Sequence, residues 1–187
     1  AVRDYVTSTI GDGFLVPLIA ELDAPEQLDF DSYGDNFVVK ANHDSGSVFL
    51  CRDGQFDAQK IIKRLNKKLA VNSSAKRNEP WYSKIQPKIM VEQLLITQDG
   101  KLPEDYKFHV FNGLAGQTFF LQVDYDRHSG HSRCIYDEQG QITDISLNKQ
   151  SNQKPLPEIK NYQKMVDLAL QLSLPFDYVR VDLYNLD

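Results

Sequence analysis

The sequence predicts an α+β fold built mainly from antiparallel sheets. Several β-rich segments follow one another directly along the chain, which favours antiparallel pairing over the strict strand–helix alternation of a parallel sheet. Only three segments space their apolar residues as a helix does. Of the 187 residues, 41% are hydrophobic and 25% are charged. This composition is typical of a soluble globular protein and excludes collagen-like and coiled-coil repeats.

In the N-terminal half, the positions of turn residues and the spacing of apolar residues predict the helices and strands. Residues 3–10 predict a short helix that stops at the turn Gly11-Asp12-Gly13, and residues 15–22 predict a strand. Two short β-rich stretches, 37–39 and 47–51, flank a polar loop, which makes a hairpin the simplest interpretation. Asp57 is placed to cap a helix that runs to about Leu69.

The C-terminal half is dominated by strands. We expect strands at residues 89–96, 106–111, 118–125, 132–136 and 178–184. Residues 72–80 and 144–157 are polar and predict loops. Asn161 is expected to cap a helix whose apolar face comprises Tyr162, Met165, Val166, Ala169 and Leu172.

Charge and composition exclude several function classes. The formal net charge is −5, which argues against nucleic-acid binding through a basic stripe and leaves room for a local cationic pocket. No apolar run approaches the roughly 20 residues that a membrane span needs. The two cysteines are too few for a disulfide framework, so we expect a reducing, cytoplasmic environment.

The segment 37–48, FVVKANHDSGSV, is the first candidate site. A strand that ends at Lys40 would position an ammonium group, and Ser45, Gly46 and Ser47 would let backbone N–H groups approach phosphate oxygens. Neither a Walker loop nor a dinucleotide fingerprint is present. The alternative interpretation is a polar hairpin turn with a solvated lysine.

Two further segments carry candidate chemistry. An apolar strand that ends at Glu92 offers a carboxylate to an adenine amino group, and Asp105 could hold ribose hydroxyls. Asp182 lies between apolar neighbours in a strand and could ligate Mg²⁺. The alternatives are solvated acids at strand ends and, because Arg180 shares a strand face with Asp182, a simple Arg–Asp ion pair.

Taken together and in this order, these segments resemble the ATP-grasp superfamily, and in particular the TupA-like (teichuronopeptide-biosynthesis-type) ATP-grasp proteins of polysaccharide biosynthesis. The matching segments are AVRDYV, FVVKANHDSG, KIMVEQLL, PEDYKFHVFNG, VDYDR and VRVDLYN. The resemblance implies one ATP-grasp-like domain over residues 1–187, truncated at both ends. Residues 15–95 would form a nucleotide-clamping lobe and residues 96–187 a metal and substrate lobe.

The resemblance implies ATP and magnesium as cofactors and assigns roles to individual residues. Lys40 would contact the α- and β-phosphates, the loop containing His43, Ser45, Gly46 and Ser47 would cover them, and Asp182 would ligate magnesium. The adenosine would be held by Glu92, Gln93, Leu95 and Asp105. Lys107 and Arg127 match cationic positions of the family that could meet phosphate or an acidic substrate. Arg133 joins them because arginine suits planar recognition of a carboxylate or phosphate. The alternative is that Arg127 and Arg133 pair with nearby acids such as Asp124 and Asp126.

Three departures from the family pattern affect the expected activity. Asp44 occupies the first glycine position of the family's HGSG loop. A second metal-binding glutamate, expected after VRVDLYN, and an upstream phosphate-binding lysine would both lie outside these 187 residues.

Three functions are compatible with these features. The first is an ATP-dependent ligase that joins an amino acid or similar group to a sugar acid through an acyl-phosphate. The alternatives are a nucleotide-sugar glycosyltransferase, given the Asp-x-Asp patterns at 29–31 and 124–126, and a non-catalytic binding module. A zinc site at His128, His131 and Cys134 is disfavoured because no fourth ligand is evident.

Overall fold

A computed structural model of the chain describes residues 2–43, 46–69, 85–125, 132–147 and 154–186. The chain forms two compact units. Unit one is Val16–Leu94, and unit two combines Ala1–Leu15 with Leu95–Asp187. The N-terminal helix therefore belongs to the same unit as the C-terminal half of the chain.

Three α-helices, three short 3-10 helices and eight strands make up the regular structure of the described ranges. The α-helices are α1 (Val2–Ile10), α2 (Ala58–Leu69) and α3 (Tyr162–Ser173). The strands are β1 (Leu18–Leu22), β2 (Phe37–Ala41), β3 (Val48–Cys51), β4 (Ile89–Gln93), β5 (Asp105–Gly113), β6 (Gly116–Tyr125), β7 (Ser132–Tyr136) and β8 (Tyr178–Tyr184). None of these helices is both long and apolar enough to cross a membrane.

Unit one is a four-stranded antiparallel sheet, here called sheet one, with α2 packed on one face. Its strand order is β1-β4-β2-β3. Alternate residues of β2, namely Phe37, Val39 and Ala41, are buried in the same hydrophobic cluster as Ile61 and Leu65 of α2. This period of two leaves Val38 and Lys40 on the opposite face of the sheet.

Unit two contains the second four-stranded antiparallel sheet, here called sheet two, with the order β7-β6-β5-β8. Tyr106, Phe108 and Val110 of β5 belong to a core cluster that also includes the apolar residues of α3. Helix α1 is tied to α3 because the Tyr5 hydroxyl donates to the Leu172 carbonyl oxygen at 2.7 Å. One face of sheet two is therefore covered by helices and apolar side chains.

The predicted fold class is confirmed: the protein is α+β with two antiparallel sheets. The β2–β3 hairpin is confirmed, and so is the cap at Asp57, whose side chain accepts from the Lys60 backbone N–H at 2.9 Å. The predicted strand at 15–22 begins only at Leu18, and the one at 89–96 ends at Gln93. The expected loop at 72–80 lies outside the described residues.

The predicted side-chain cap at Asn161 is wrong. Asn161 does precede α3, but its φ is 61° and its side chain makes no capping hydrogen bond. Asparagine tolerates this left-handed conformation better than most residues, so its role is in the turn that leads into the helix.

Replacing Phe108 by alanine should strongly destabilise the protein. Phe108 is fully buried, and the lost burial together with the cavity should lower the free energy of unfolding by about 3–5 kcal/mol, measured by urea denaturation. Phe111→Ala is the matched control because Phe111 lies on the same strand but is 40% exposed, and it should cost about 1 kcal/mol. Equal losses for the two variants would contradict this account of the core.

Candidate functional site

The face of sheet one opposite α2 carries a lysine–glutamate pair. Lys40 at the end of β2 and Glu92 on β4 lie on neighbouring strands, and Lys40 Nζ is 2.6 Å from Glu92 Oε2. Glu92 is buried, whereas the Lys40 side chain is about one-third exposed. The sequence placed these residues in separate roles, at the phosphates and at the adenine, and the structure brings them into contact.

The β2–β3 loop turns its histidine inwards. His43 is buried, and its Nε2 lies 3.3 Å from the Lys68 carbonyl oxygen at the end of α2, which identifies Nε2 as the donor nitrogen. Nδ1 has no partner in the described part of the chain. Ser47 is also buried and Gly46 is exposed, whereas Ser45 and Asp44 lie outside the described residues.

The segment after β4 connects the two units. Gln93 is exposed, and its backbone N–H donates to the Pro17 carbonyl oxygen at 3.0 Å. Leu95 is half-buried and is the first residue of the second part of unit two. Glu92 and Gln93 thus lie in unit one, whereas Leu95 lies in unit two.

The face of sheet two that points away from the helices is charged. In β5 the residues Asp105, Lys107 and His109 alternate with the core residues, and the strand register aligns them with polar residues of the neighbouring strands. We call this surface the charged face. Its members are Asp105, Lys107, His109, Gln122, Asp124, Arg133, Arg180 and Asp182.

Lys107 lies at the centre of the charged face and is almost completely buried. Its ammonium group donates to the Asp105 carboxylate and to Asp124 Oδ2, the latter at 3.0 Å. A buried ammonium is costly unless it is paired and hydrogen-bonded. The two carboxylates therefore both fix the position of Lys107 and offset the cost of burying its ammonium group.

Arg133 completes the buried cluster from β7. Its Nε donates to Asp124 Oδ1 at 2.6 Å, and its Nη1 donates to the Leu147 carbonyl oxygen at 2.8 Å. Asp124 is fully buried and accepts from both Lys107 and Arg133, with a further bond from the Gln122 amide at 3.0 Å. These two cations and two carboxylates sum to zero formal charge.

His109 extends this network towards the surface. Because the Gln122 amide nitrogen donates to Asp124, the Gln122 Oε1 atom faces His109 and accepts from its Nε2 at 3.1 Å. His109 Nδ1 is then the acceptor for the Tyr178 hydroxyl, at 2.8 Å. Burial is the main cause that lowers the pKa of His109 below its ordinary value, and the positive charges of Arg180 and Arg133 lower it further. The hydrogen bond to Gln122 and the negative charge of Asp182 act in the opposite direction without reversing the shift.

Asp182 is exposed on β8 and is held by Arg180 of the same strand. Both oxygens accept from the guanidinium, at 2.6 and 2.9 Å, and Asp182 raises the pKa of Arg180. Within the described ranges, no three His, Cys, Asp or Glu side chains converge as metal ligands. These residues therefore do not fit a metal held by the protein alone, whereas an Mg²⁺ carried by nucleotide phosphates needs only one or two carboxylates.

Among the residues predicted from the sequence, Asp105, Lys107, Arg133 and Asp182 lie together on the charged face. Arg127 and the histidines of the disfavoured zinc site lie outside the described residues, and Cys134 is buried. His109 and Gln122 were assigned no functional role, and Asp124 was considered only as part of the Asp-x-Asp pattern at 124–126. They could have been found from the alternation of polar and apolar residues in β5 and β6, because alternate residues of adjacent strands lie on the same face of a sheet.

Comparison with known proteins defines the class. A family model described as TupA-like ATPgrasp matches residues 1–187. The chain belongs to the TupA-like ATP-grasp family. Neither a curated protein nor a solved structure shows significant similarity to it.

Neutralising Asp124 should disrupt the buried cluster. In Asp124→Asn, Arg133 loses this carboxylate, and Asp105 is the one acid left to Lys107 among the described residues. We therefore expect the free energy of unfolding to fall by about 3 kcal/mol in urea denaturation. Asp182→Asn makes the same chemical change in an exposed pair on the same sheet and should cost at most about 1 kcal/mol. A loss at Asp124 no larger than at Asp182 would refute the buried-charge argument.

His109 should titrate below its ordinary value. Because its pKa is lowered in the folded protein, the unfolded chain binds more protons as the pH falls through about 6.5, and the protein loses stability towards acid. Nitrogen-15 NMR of the imidazole should give a midpoint below 6.5 and a neutral ring protonated on Nε2. A midpoint above 6.5, or protonation on Nδ1, would contradict the hydrogen-bond assignment. In His109→Gln, the free energy of unfolding should decrease less steeply as the pH falls below about 6.5.

Proposed function

We propose that this chain binds ATP and uses it to activate a carboxylate, as part of an ATP-dependent ligase of cell-surface polysaccharide biosynthesis. A carboxylate oxygen of the acceptor would attack the γ-phosphorus, the bond from that phosphorus to the β–γ bridging oxygen would break, and ADP would leave. An amine nitrogen would then attack the acyl carbon and release phosphate. Membership of the ATP-grasp family supports an ATP-dependent reaction. The substrates, a sugar acid and an amine such as an amino acid, are taken from what the sequence resemblance implies.

The observation that carries this proposal is the convergence on the charged face. Asp105 and Lys107 on β5, Arg133 on β7 and Asp182 on β8 are distant in sequence but share one side of sheet two. Phosphoryl transfer requires mainly positioned charge, which such a face supplies. Family membership alone would not say which cations are available.

Lys107 and Arg133 are the proposed cations for the transferred phosphoryl group or for an acidic substrate. Their carboxylate partners hold them in place before a ligand arrives, so little reorganisation is needed. The buried cluster is neutral, so a bound triphosphate adds negative charge. Mg²⁺, when bound, offsets that charge at the phosphate oxygens, and Asp182 is its candidate ligand once released from Arg180.

In unit one, Lys40 is the proposed phosphate contact and Glu92 the proposed acceptor for the adenine amino group. The Lys40–Glu92 ion pair holds the two groups close together in the absence of a ligand. His43, Ser45, Gly46 and Ser47 are proposed to cover the phosphates. Gln93 and Leu95 are proposed to contact the adenine, and Asp105 the ribose.

A second candidate function is nucleotide binding without catalysis. It is favoured by the bidentate contact between Arg180 and Asp182, which occupies the proposed metal ligand. Conversion of ATP to ADP that depends on an added carboxylate and amine would exclude it. The glycosyltransferase alternative gains no support from Asp124, because that residue is fully buried and paired with cations.

Removing the Lys40 ammonium should weaken nucleotide binding. We expect Lys40→Ala to lower the affinity for a non-hydrolysable ATP analogue, measured by calorimetry with Mg²⁺, by about 10- to 100-fold, because a charged hydrogen bond to phosphate is lost. Lys63→Ala, an exposed position on α2, is the control and should bind as the unaltered protein does. Unchanged affinity in Lys40→Ala would refute the phosphate role, and no binding by the unaltered protein would refute the proposed function.

A further inference from the structure

Strand β3 lies at an edge of sheet one and has β2 as its one neighbour among the described strands. The Ala41 N–H donates to the Ser47 carbonyl oxygen at 3.1 Å, so the alternation of an antiparallel ladder directs the backbone groups of Val48 and Leu50 away from β2. An edge strand with backbone groups unpaired by any other described strand can pair with another extended chain.

A groove of about 300 Å³ runs beside this edge, between β3 and α2. Phe49 and Phe56 contribute apolar surface there, and Val48 and Leu50, which point to the other side of β3, are 52% and 44% exposed. An extended chain added at the edge would therefore place alternate side chains on two different surfaces. One set would face α2, and the other would face Val48 and Leu50.

The surface of α2 next to the groove is cationic. Helix α2 carries five basic residues and no acidic one, in a chain whose net charge is −5. Lys60 and Arg64 both line the groove one helical turn apart, and Asp57 is the one acid among the lining residues. The groove thus favours negatively charged side chains on its α2 side.

We propose that the β3 edge binds an extended acidic peptide by strand addition. The peptide would pair its backbone with Val48 and Leu50, direct acidic side chains towards Lys60 and Arg64, and direct apolar side chains towards the exposed Val48 and Leu50. This surface lies wholly within unit one. Val48 and Leu50 share a face of sheet one with the Lys40–Glu92 pair, because Val48 is the cross-strand partner of Lys40. Lys60 and Arg64 lie on the other side of the sheet, with α2, and take no part in the proposed nucleotide contacts.

The test uses a fluorescent eight-residue peptide of alternating valine and glutamate, titrated with the full chain at low salt. We expect saturable binding that weakens as salt rises, together with slower hydrogen exchange at the Val48 and Leu50 amides. The double variant Lys60→Gln/Arg64→Gln should bind about tenfold more weakly, because two exposed charge contacts are lost. Lys63→Gln, which changes a neighbouring lysine that does not line the groove, should bind normally.

Two altered peptides separate strand addition from general attraction between charges. A peptide with its central valines replaced by proline keeps its charge but cannot pair as a strand, and we expect it not to bind. A valine–lysine peptide should also fail to bind. The proposal would be overturned by no binding of the valine–glutamate peptide, equal binding of the proline peptide, or an equal loss in Lys63→Gln. If the double variant still binds the ATP analogue normally, its weaker binding of the valine–glutamate peptide is a local effect at the groove.

Discussion

The candidate site depends on one buried carboxylate. Asp124 is fully buried on β6, and it accepts hydrogen bonds from Lys107, Arg133 and Gln122. These partners come from three strands, so Asp124 sets the positions of charged groups across most of sheet two. A buried charge with fewer partners would be costly, so each member of the network depends on the others for its burial.

The strand period of two explains how a stable core and a charged site share one sheet. On β5, Tyr106, Phe108 and Val110 face the helices, while Asp105, Lys107 and His109 face the other way. Unit one uses the same arrangement on a smaller scale, with Phe37 and Val39 in its core and Lys40 paired with Glu92 on the opposite face. In both units the apolar face supplies stability and the opposite face supplies charge.

Much of this architecture could be predicted from the sequence because it depends on local patterns. Alternation located β5 to β8, and the cap at Asp57 was recognisable from its residue type and position. The Arg180–Asp182 ion pair was offered as an alternative because both residues lie on one face of a single strand. Partners on different strands could not be predicted, since they depend on strand register: Lys107 meets Asp124 only because β5 pairs with β6 as it does. The left-handed backbone at Asn161 was also missed, because asparagine suits both a helix cap and such a turn.

The central claim is that the charged face receives the phosphates of a nucleotide. The most direct measurement is a crystal structure of the protein with a non-hydrolysable ATP analogue and Mg²⁺. The account predicts phosphate oxygens within hydrogen-bonding distance of Lys107 Nζ or the Arg133 guanidinium, with Asp124 still bonded to both cations. An analogue whose phosphates contact neither cation would contradict it.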